Sequence, residues 1–190
     1  MIARPFQAIA FSGSLRTGST NTGLVRLAQR LAMPDLEVRI IDWVVELPWM
    51  NPDLEADPPL IVQRWWAELR AADALIVGMP EYNSGQSALA KNALDWASRP
   101  PHDRAIAGTV VAFLSSAGGS GGANSQGAIG TMFGHLGATV VTDPPVQLQR
   151  VGDRFDAQGN TTDPEIIEAV AAKMRAVVDA LRAQATPPAS

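Results

Sequence analysis

Apolar and polar residues alternate along the chain with two different periods. Short apolar runs bounded by turn residues fall at 6–11, 36–41, 74–77, 109–114 and 139–141, and they read as buried strands. Between them the spacing changes to three and four residues. Leu24, Leu27, Ala28 and Leu31 form one such stripe, and Ile61, Trp65 and Leu69 another. Ile129, Phe133 and Leu136 form a third, and Ile167, Val170, Met174, Val177 and Leu181 the last. These stripes predict amphipathic helices after the first strand and at 60–71, 124–136 and 164–183, with a further helix at 87–98. Pro48, Pro52, Pro58 and Pro59 break up the stretch 42–59.

Each of the five strands is followed by a helix or a helix-bearing loop. The strands are apolar throughout rather than on one side, which predicts a parallel sheet covered on both faces. Right-handed crossovers then give an α/β fold, a doubly wound five-stranded parallel sheet of order 2-1-3-4-5 with helices on both faces. No repeat or linker interrupts the pattern. Residues 1–185 are therefore expected to be a single domain, and 186–190, rich in Pro and Ala, a disordered tail.

Charge and composition narrow the chemistry. With 15 Lys and Arg against 19 Asp and Glu, the net charge is −4 and no basic run stands out. That argues against nucleic acid or a membrane surface as partner. The longest apolar runs are far short of the roughly 18 residues of a membrane span. The first residues do not read as a signal peptide, so a cytoplasmic location is expected. The chain has no cysteine, and its two histidines, His102 and His135, lie far apart. Thiol redox chemistry and thiolate metal sites are excluded, and any redox role must rest on a bound cofactor.

In a sheet of this order, ligands bind beyond the carboxyl ends of the strands, where the strand order reverses. Three loops fall there. The first carries Ser12, Ser14, Arg16, Ser19, Thr20 and Asn21 and opens a helix, so hydroxyls, main-chain N–H groups and one cation meet a helix N-terminus. It nearly matches a nucleotide P-loop, but Ser19 stands where that motif needs Lys. Arg16 plus about half a charge from the helix end suits a phosphate monoester better than a magnesium triphosphate. The second loop carries Pro80, Glu81, Tyr82 and Asn83, and Tyr82 is the only tyrosine of the chain. Its ring and the neighbouring amide suit a planar ligand. The third runs from Ser115 through Gly118 and Gly119 to Gly122, and its glycines allow close approach of the main chain.

These motifs, in this order, resemble the NADPH-dependent FMN reductase family, the flavodoxin-like group that includes chromate, quinone and azo reductases. The resemblance rests on Gly13-Ser14-Leu15-Arg16 with Ser19 and Asn21, and on Pro80-Glu81-Tyr82-Asn83 leading to Lys91-Asn92-Ala93-Leu94-Asp95-Trp96. The Gly-rich segment 115–122 and Leu47-Pro48 with Asp53 extend it. It implies bound FMN, with NADPH or NADH as electron donor and a small-molecule acceptor such as a quinone, azo compound, free flavin or metal oxyanion. By position, Ser14, Arg16, Ser19, Thr20 and Asn21 would hold the FMN phosphate. Pro80, Glu81, Tyr82 and Asn83 would line the isoalloxazine, and Gly118 and Gly119 would face its pyrimidine edge. No residue is singled out for acid–base catalysis, because the hydride chemistry belongs to the flavin. The resemblance also implies a homodimer or homotetramer, with Asp95 and Arg99 near the subunit contact. Arg16 and Arg99 are the candidates for a 2′-phosphate clamp. An electron carrier without its own nicotinamide site and a non-catalytic flavin-binding domain are the competing readings.

Overall fold

The computed structural model describes residues 4–32 and 34–186. Strand β1 (Phe6–Ser12) lies inside a parallel sheet, between the edge strand β2 (Leu36–Ile40) and the central strand β3 (Ala74–Gly78). Beyond β3 a short antiparallel hairpin, β4 (Glu81–Tyr82) and β5 (Gly85–Gln86), precedes the last two sheet strands, β6 (Val110–Ala117) and β7 (Thr139–Gln149). The five sheet strands stand in the order β2-β1-β3-β6-β7, which is the predicted 2-1-3-4-5 once the hairpin is set aside.

Strand residues alternate between two cores, as a pleated sheet buried on both faces requires. Ala8, Ala10, Leu36, Val38, Ile76, Ala112 and Leu114 face α1 (Thr20–Leu31) and α5 (Pro164–Ala185). Ile9, Phe11, Leu75, Val77, Val111 and Phe113 face α2 (Leu60–Ala71), α3 (Ala88–Ala97) and α4 (Ala123–His135). On that second face the tryptophans bury their rings and still satisfy their N–H groups. Trp65 Nε1 donates to Ala93 O at 2.9 Å, and Trp66 Nε1 to Trp96 O at 2.7 Å. Trp96 Nε1 donates to Pro48 O at 2.8 Å.

The differences from expectation lie at the carboxyl edge. Ser115, Ser116 and Ala117, expected in a loop, continue β6, and the fifth strand runs to Gln149 instead of stopping at Val141. Asp143-Pro144-Pro145 resembles a strand break, but β7 is an edge strand, and edges and bulges tolerate proline. The segment bulges outward between the pairs Ala112↔Val141 and Leu114↔Val146 and then rejoins β6. Of the expected tail, residues 187–190 lie outside the described residues.

Candidate functional site

Strand order reverses between β1 and β3, and their last pair is Ser12↔Gly78. One residue on, Gly13 N donates to Gly78 O at 2.8 Å before the two chains part. Gly13 packs directly on the start of α3, where an added Cβ would lie 2.7 Å from Ala90 Cβ and 2.8 Å from Ser87 Oγ. Ser87 caps α3 and donates from Oγ to Gly13 O at 2.7 Å, which fixes the first loop to that helix. Behind the loop, Gly23 packs so closely on Gly159 that an added Cβ would run into Gly159 O. The first loop is thus held from two sides by residues the sequence did not single out.

What the loop holds open is the start of α1. Ser87 caps α3 and Asp163 caps α5 with side-chain hydrogen bonds, whereas Ser19 at the N-cap of α1 makes none. The main-chain N–H groups of Thr20, Asn21 and Thr22 have no acceptor among the described residues. Ser19 and Thr20 are buried, Ser14 is half-buried, and Arg16 is exposed with no side-chain partner among the described residues. Unsatisfied donors at a helix N-terminus, two neighbouring hydroxyls and a free guanidinium make a donor set for an oxyanion. Ser12 shapes the loop from within, its Oγ accepting from Ser14 N at 3.2 Å and from Thr22 Oγ1 at 2.8 Å.

Three predicted residues turn inward. The Asn21 side chain spans from α1 to β6, donating from Nδ2 to Ser116 O at 2.9 Å and accepting from Ser116 N at 3.0 Å. Only its main-chain N–H is left for a ligand. Ser115 is fully buried, donates to Met79 O at 2.7 Å and accepts from Gln126 Nε2 at 2.8 Å. Glu81 accepts from Ser120 Oγ at 2.5 Å, Asn124 Nδ2 at 3.1 Å and Ser125 N at 3.1 Å, which ties the hairpin to the Gly-rich loop and the start of α4. Burial opposes ionisation of Glu81, but these hydrogen bonds together outweigh it and hold its carboxyl below the usual value.

The other predicted residues form the rim. Pro80 is buried under the hairpin, and Tyr82 is 55% exposed beside the two-residue turn Asn83–Ser84. That turn has φ of 52° and 61°, the left-handed pair that a type I′ turn needs. Across from it, no atom lies within 4 Å of a Cβ built on Gly118 or Gly119. The main chain there is bare on its outer side, as a shelf for a flat ligand must be. Leu15, on the first loop, and Trp49 are each 71% exposed, large apolar side chains left in water. Trp49 rides on a loop fixed by Met50 N donating to Asn92 Oδ1 at 2.7 Å and by the Trp96 bond to Pro48. Arg99 is paired with Glu55 at 3.4 Å. A cavity of about 460 Å³ lined by Phe6, Asp73, Thr109 and Leu181 sits at the opposite, amino edge of the sheet, away from all three loops.

An anion cradle at a helix start, joined to a bare Gly-rich shelf at the switch point of a 2-1-3-4-5 sheet, defines a flavodoxin-like nucleotide-binding protein. Residues 7–153 match the model of the NADPH-dependent FMN reductases, and the chain belongs to that family of oxidoreductases. It is 39% identical over 171 residues to a probable NADPH:quinone oxidoreductase of Oryza sativa subsp. japonica, covering 87% of this chain and 83% of the relative. It is 34% identical over 173 residues to an NAD(P)H-dependent FMN reductase of Pseudomonas aeruginosa, covering 90% and 92%. Among solved structures, the flavoenzyme NAD(P)H:(acceptor) oxidoreductase FerB of Paracoccus denitrificans superposes with a TM-score of 0.82. The two share 29% identity, covering 94% of this chain and 98% of the other.

Proposed function

We propose that this chain binds FMN across the three loops and, as a cytoplasmic homodimer or homotetramer, reduces quinones at the expense of NADPH or NADH. The observation that carries the reading is the uncapped start of α1, with its free N–H groups beside Ser19, Thr20 and Arg16, tied through Asn21 to Ser116, two residues before the bare Gly118–Gly119 shelf. Relatives named as quinone reductases support the acceptor class. The exposed Trp49 on a fixed loop supports self-association, since a large apolar side chain held rigidly in water favours being covered. Among the described residues no helix is long and apolar enough to cross a membrane.

Ser14, Arg16, Ser19, Thr20 and the main-chain N–H groups after Ser19 would hold the FMN phosphate. Pro80, Tyr82 and Asn83 would line the ring, and Gly118 and Gly119 would offer their main chain to its edge. A bound FMN supplies hydride acceptance from reduced nicotinamide and two-electron delivery to the acceptor. In the sum, NAD(P)H, one proton and a quinone give NAD(P)⁺ and the hydroquinone. The chain contributes orientation. Glu81 holds the hairpin and the Gly-rich loop at a fixed separation, and Asn21 holds α1 to β6, so the phosphate end and the ring end of the cradle keep their spacing. Main-chain N–H groups at Gly118 and Gly119 would stabilise negative charge on the ring edge of a bound flavin.

The test is stopped-flow mixing of the FMN-loaded protein with NADPH and, separately, NADH, followed by a quinone. The flavin absorbance is expected to bleach and then return. Bound flavin that neither nucleotide bleaches would leave only a carrier or a non-catalytic domain.

A further inference from the structure

Two features at the carboxyl edge are left over once the flavin cradle is assigned. One is a strained main chain and the other an unused cation, and they coincide at Arg150. This residue follows the last β6–β7 pair, Ala117↔Gln149, and has φ of 50°. Its N–H donates to Ala117 O at 3.0 Å, one residue before Gly118, and Val151 is buried immediately behind it. The main chain is therefore fixed on both sides in a conformation that glycine adopts freely and arginine does not. Arg150 is exposed and its guanidinium has no partner among the described residues. Strain held at a solvent-facing cation that the fold does not use points to a role outside the fold.

The other cations near this edge are committed. Arg99, the sequence candidate for a 2′-phosphate clamp, is paired with Glu55. Lys91 pairs with Asp95, Arg26 donates to Gln158 O, and Arg154 is shared between Asp163 and Glu165. Arg16 belongs to the phosphate loop. Yet the chain carries a net charge of −4, while its electron donor is a polyanion that must approach the same shelf. A free guanidinium at the rim offsets that repulsion and can fork two N–H groups onto phosphate oxygens.

We infer that Arg150 is the specificity-determining cation for the electron donor, binding a phosphate of the adenosine half of the reduced dinucleotide. This rests on the reductase reading above. It assigns to this chain a donor contact distinct from the flavin phosphate site, beside the Gly-rich loop and not beside α1.

The test compares wild type with Arg150→Gly, which keeps the left-handed main chain and removes only the side chain, and with Arg150→Lys, which keeps a charge without the fork. For the FMN-loaded proteins, the nucleotide concentration giving half-maximal bleaching rate is measured for NADPH and NADH. Calorimetric titration of the oxidised proteins with adenosine 2′,5′-bisphosphate and with ADP gives a readout free of turnover. Arg150→Gly is expected to melt no lower than wild type and to need about tenfold more NADPH, the size of one solvent-facing charge-assisted contact, with Arg150→Lys between the two. A loss confined to NADPH and the bisphosphate places the guanidinium on the 2′-phosphate, and an equal loss for both nucleotides and ADP places it on the diphosphate. Unchanged half-saturation and unchanged titrations overturn the inference while the reductase reading stands. Wild type that neither nucleotide bleaches overturns both.

Discussion

Asn21 and Arg16 show why residue type alone does not fix a role. Both lie on a loop rich in hydroxyls and glycine, and both looked like phosphate ligands in sequence. The Asn21 amide is spent on the main chain of Ser116, which is itself buried, while the exposed Arg16 side chain has no hydrogen-bond partner among the described residues. Asn21→Ala would leave a buried N–H and C=O unpaired, a cost of about 2–4 kcal/mol. Urea denaturation of the FMN-free protein is expected to show that loss. Arg16→Ala should leave stability within about 0.5 kcal/mol and weaken FMN about tenfold, read by flavin fluorescence titration. The reverse pattern would sink the assignment of both. Composition thus identified the three loops, but not which way their polar groups turn. Ser115 and Glu81, like Asn21, are drawn inward by partners 11 to 95 positions away along the chain, at Gln126, Ser120, Ser125 and Ser116, which no local pattern reveals.

At the scale of elements, the edge strand β7 carries the clearest energetic signature. Its bulge at Thr142–Pro145 leaves carbonyls without ladder partners, and Lys173, 1% exposed on α5, donates from Nζ to Val141 O at 2.8 Å and Thr142 O at 3.1 Å. Burial pushes Lys173 down from 10.5 to about 8, against the opposing pull of Asp143. The unfolded chain then binds more protons than the folded one between those two values, so stability rises with pH across that window. The gain is on the order of 2–3 kcal/mol, with a slope of at most about 1.4 kcal/mol per pH unit. Chemical denaturation at steps from about pH 7.5 to 10.5 should show it, and Lys173→Met should abolish it while lowering stability at neutral pH. A wild-type curve that falls steadily over this range would refute the burial argument. The same strand marks where sequence reading stopped. Continuous apolar runs gave β1, β3 and most of β6, and helical stripes gave α2 at its observed bounds. Two-residue strands such as β4 and β5 are too short for any period, and Asp143-Pro144-Pro145 carries the chemistry of a break inside a strand that continues.

On the scale of the molecule, the proposed site belongs to no single element. Its phosphate end lies after β1, its hairpin wall after β3 and its shelf after β6, and the loops are joined by a few long-range bonds such as Asn21–Ser116 and Glu81–Ser120. A ligand that spans all three adds its binding free energy to the folded state only. At a hundredfold excess over its Kd, FMN should stabilise the chain by about 2.7 kcal/mol, which for a domain of this length raises Tm by about 5–10 °C. Riboflavin carries the same ring without the phosphate. At equal concentration it should raise Tm by clearly less, and the gap between the two ligands measures the grip of the α1 start. Arg16→Ala should narrow that gap without changing the response to riboflavin. Equal shifts for FMN and riboflavin in the wild-type protein would mean that the uncapped helix start holds no phosphate, and the ring would then have to be located by the hairpin and the Gly-rich shelf alone.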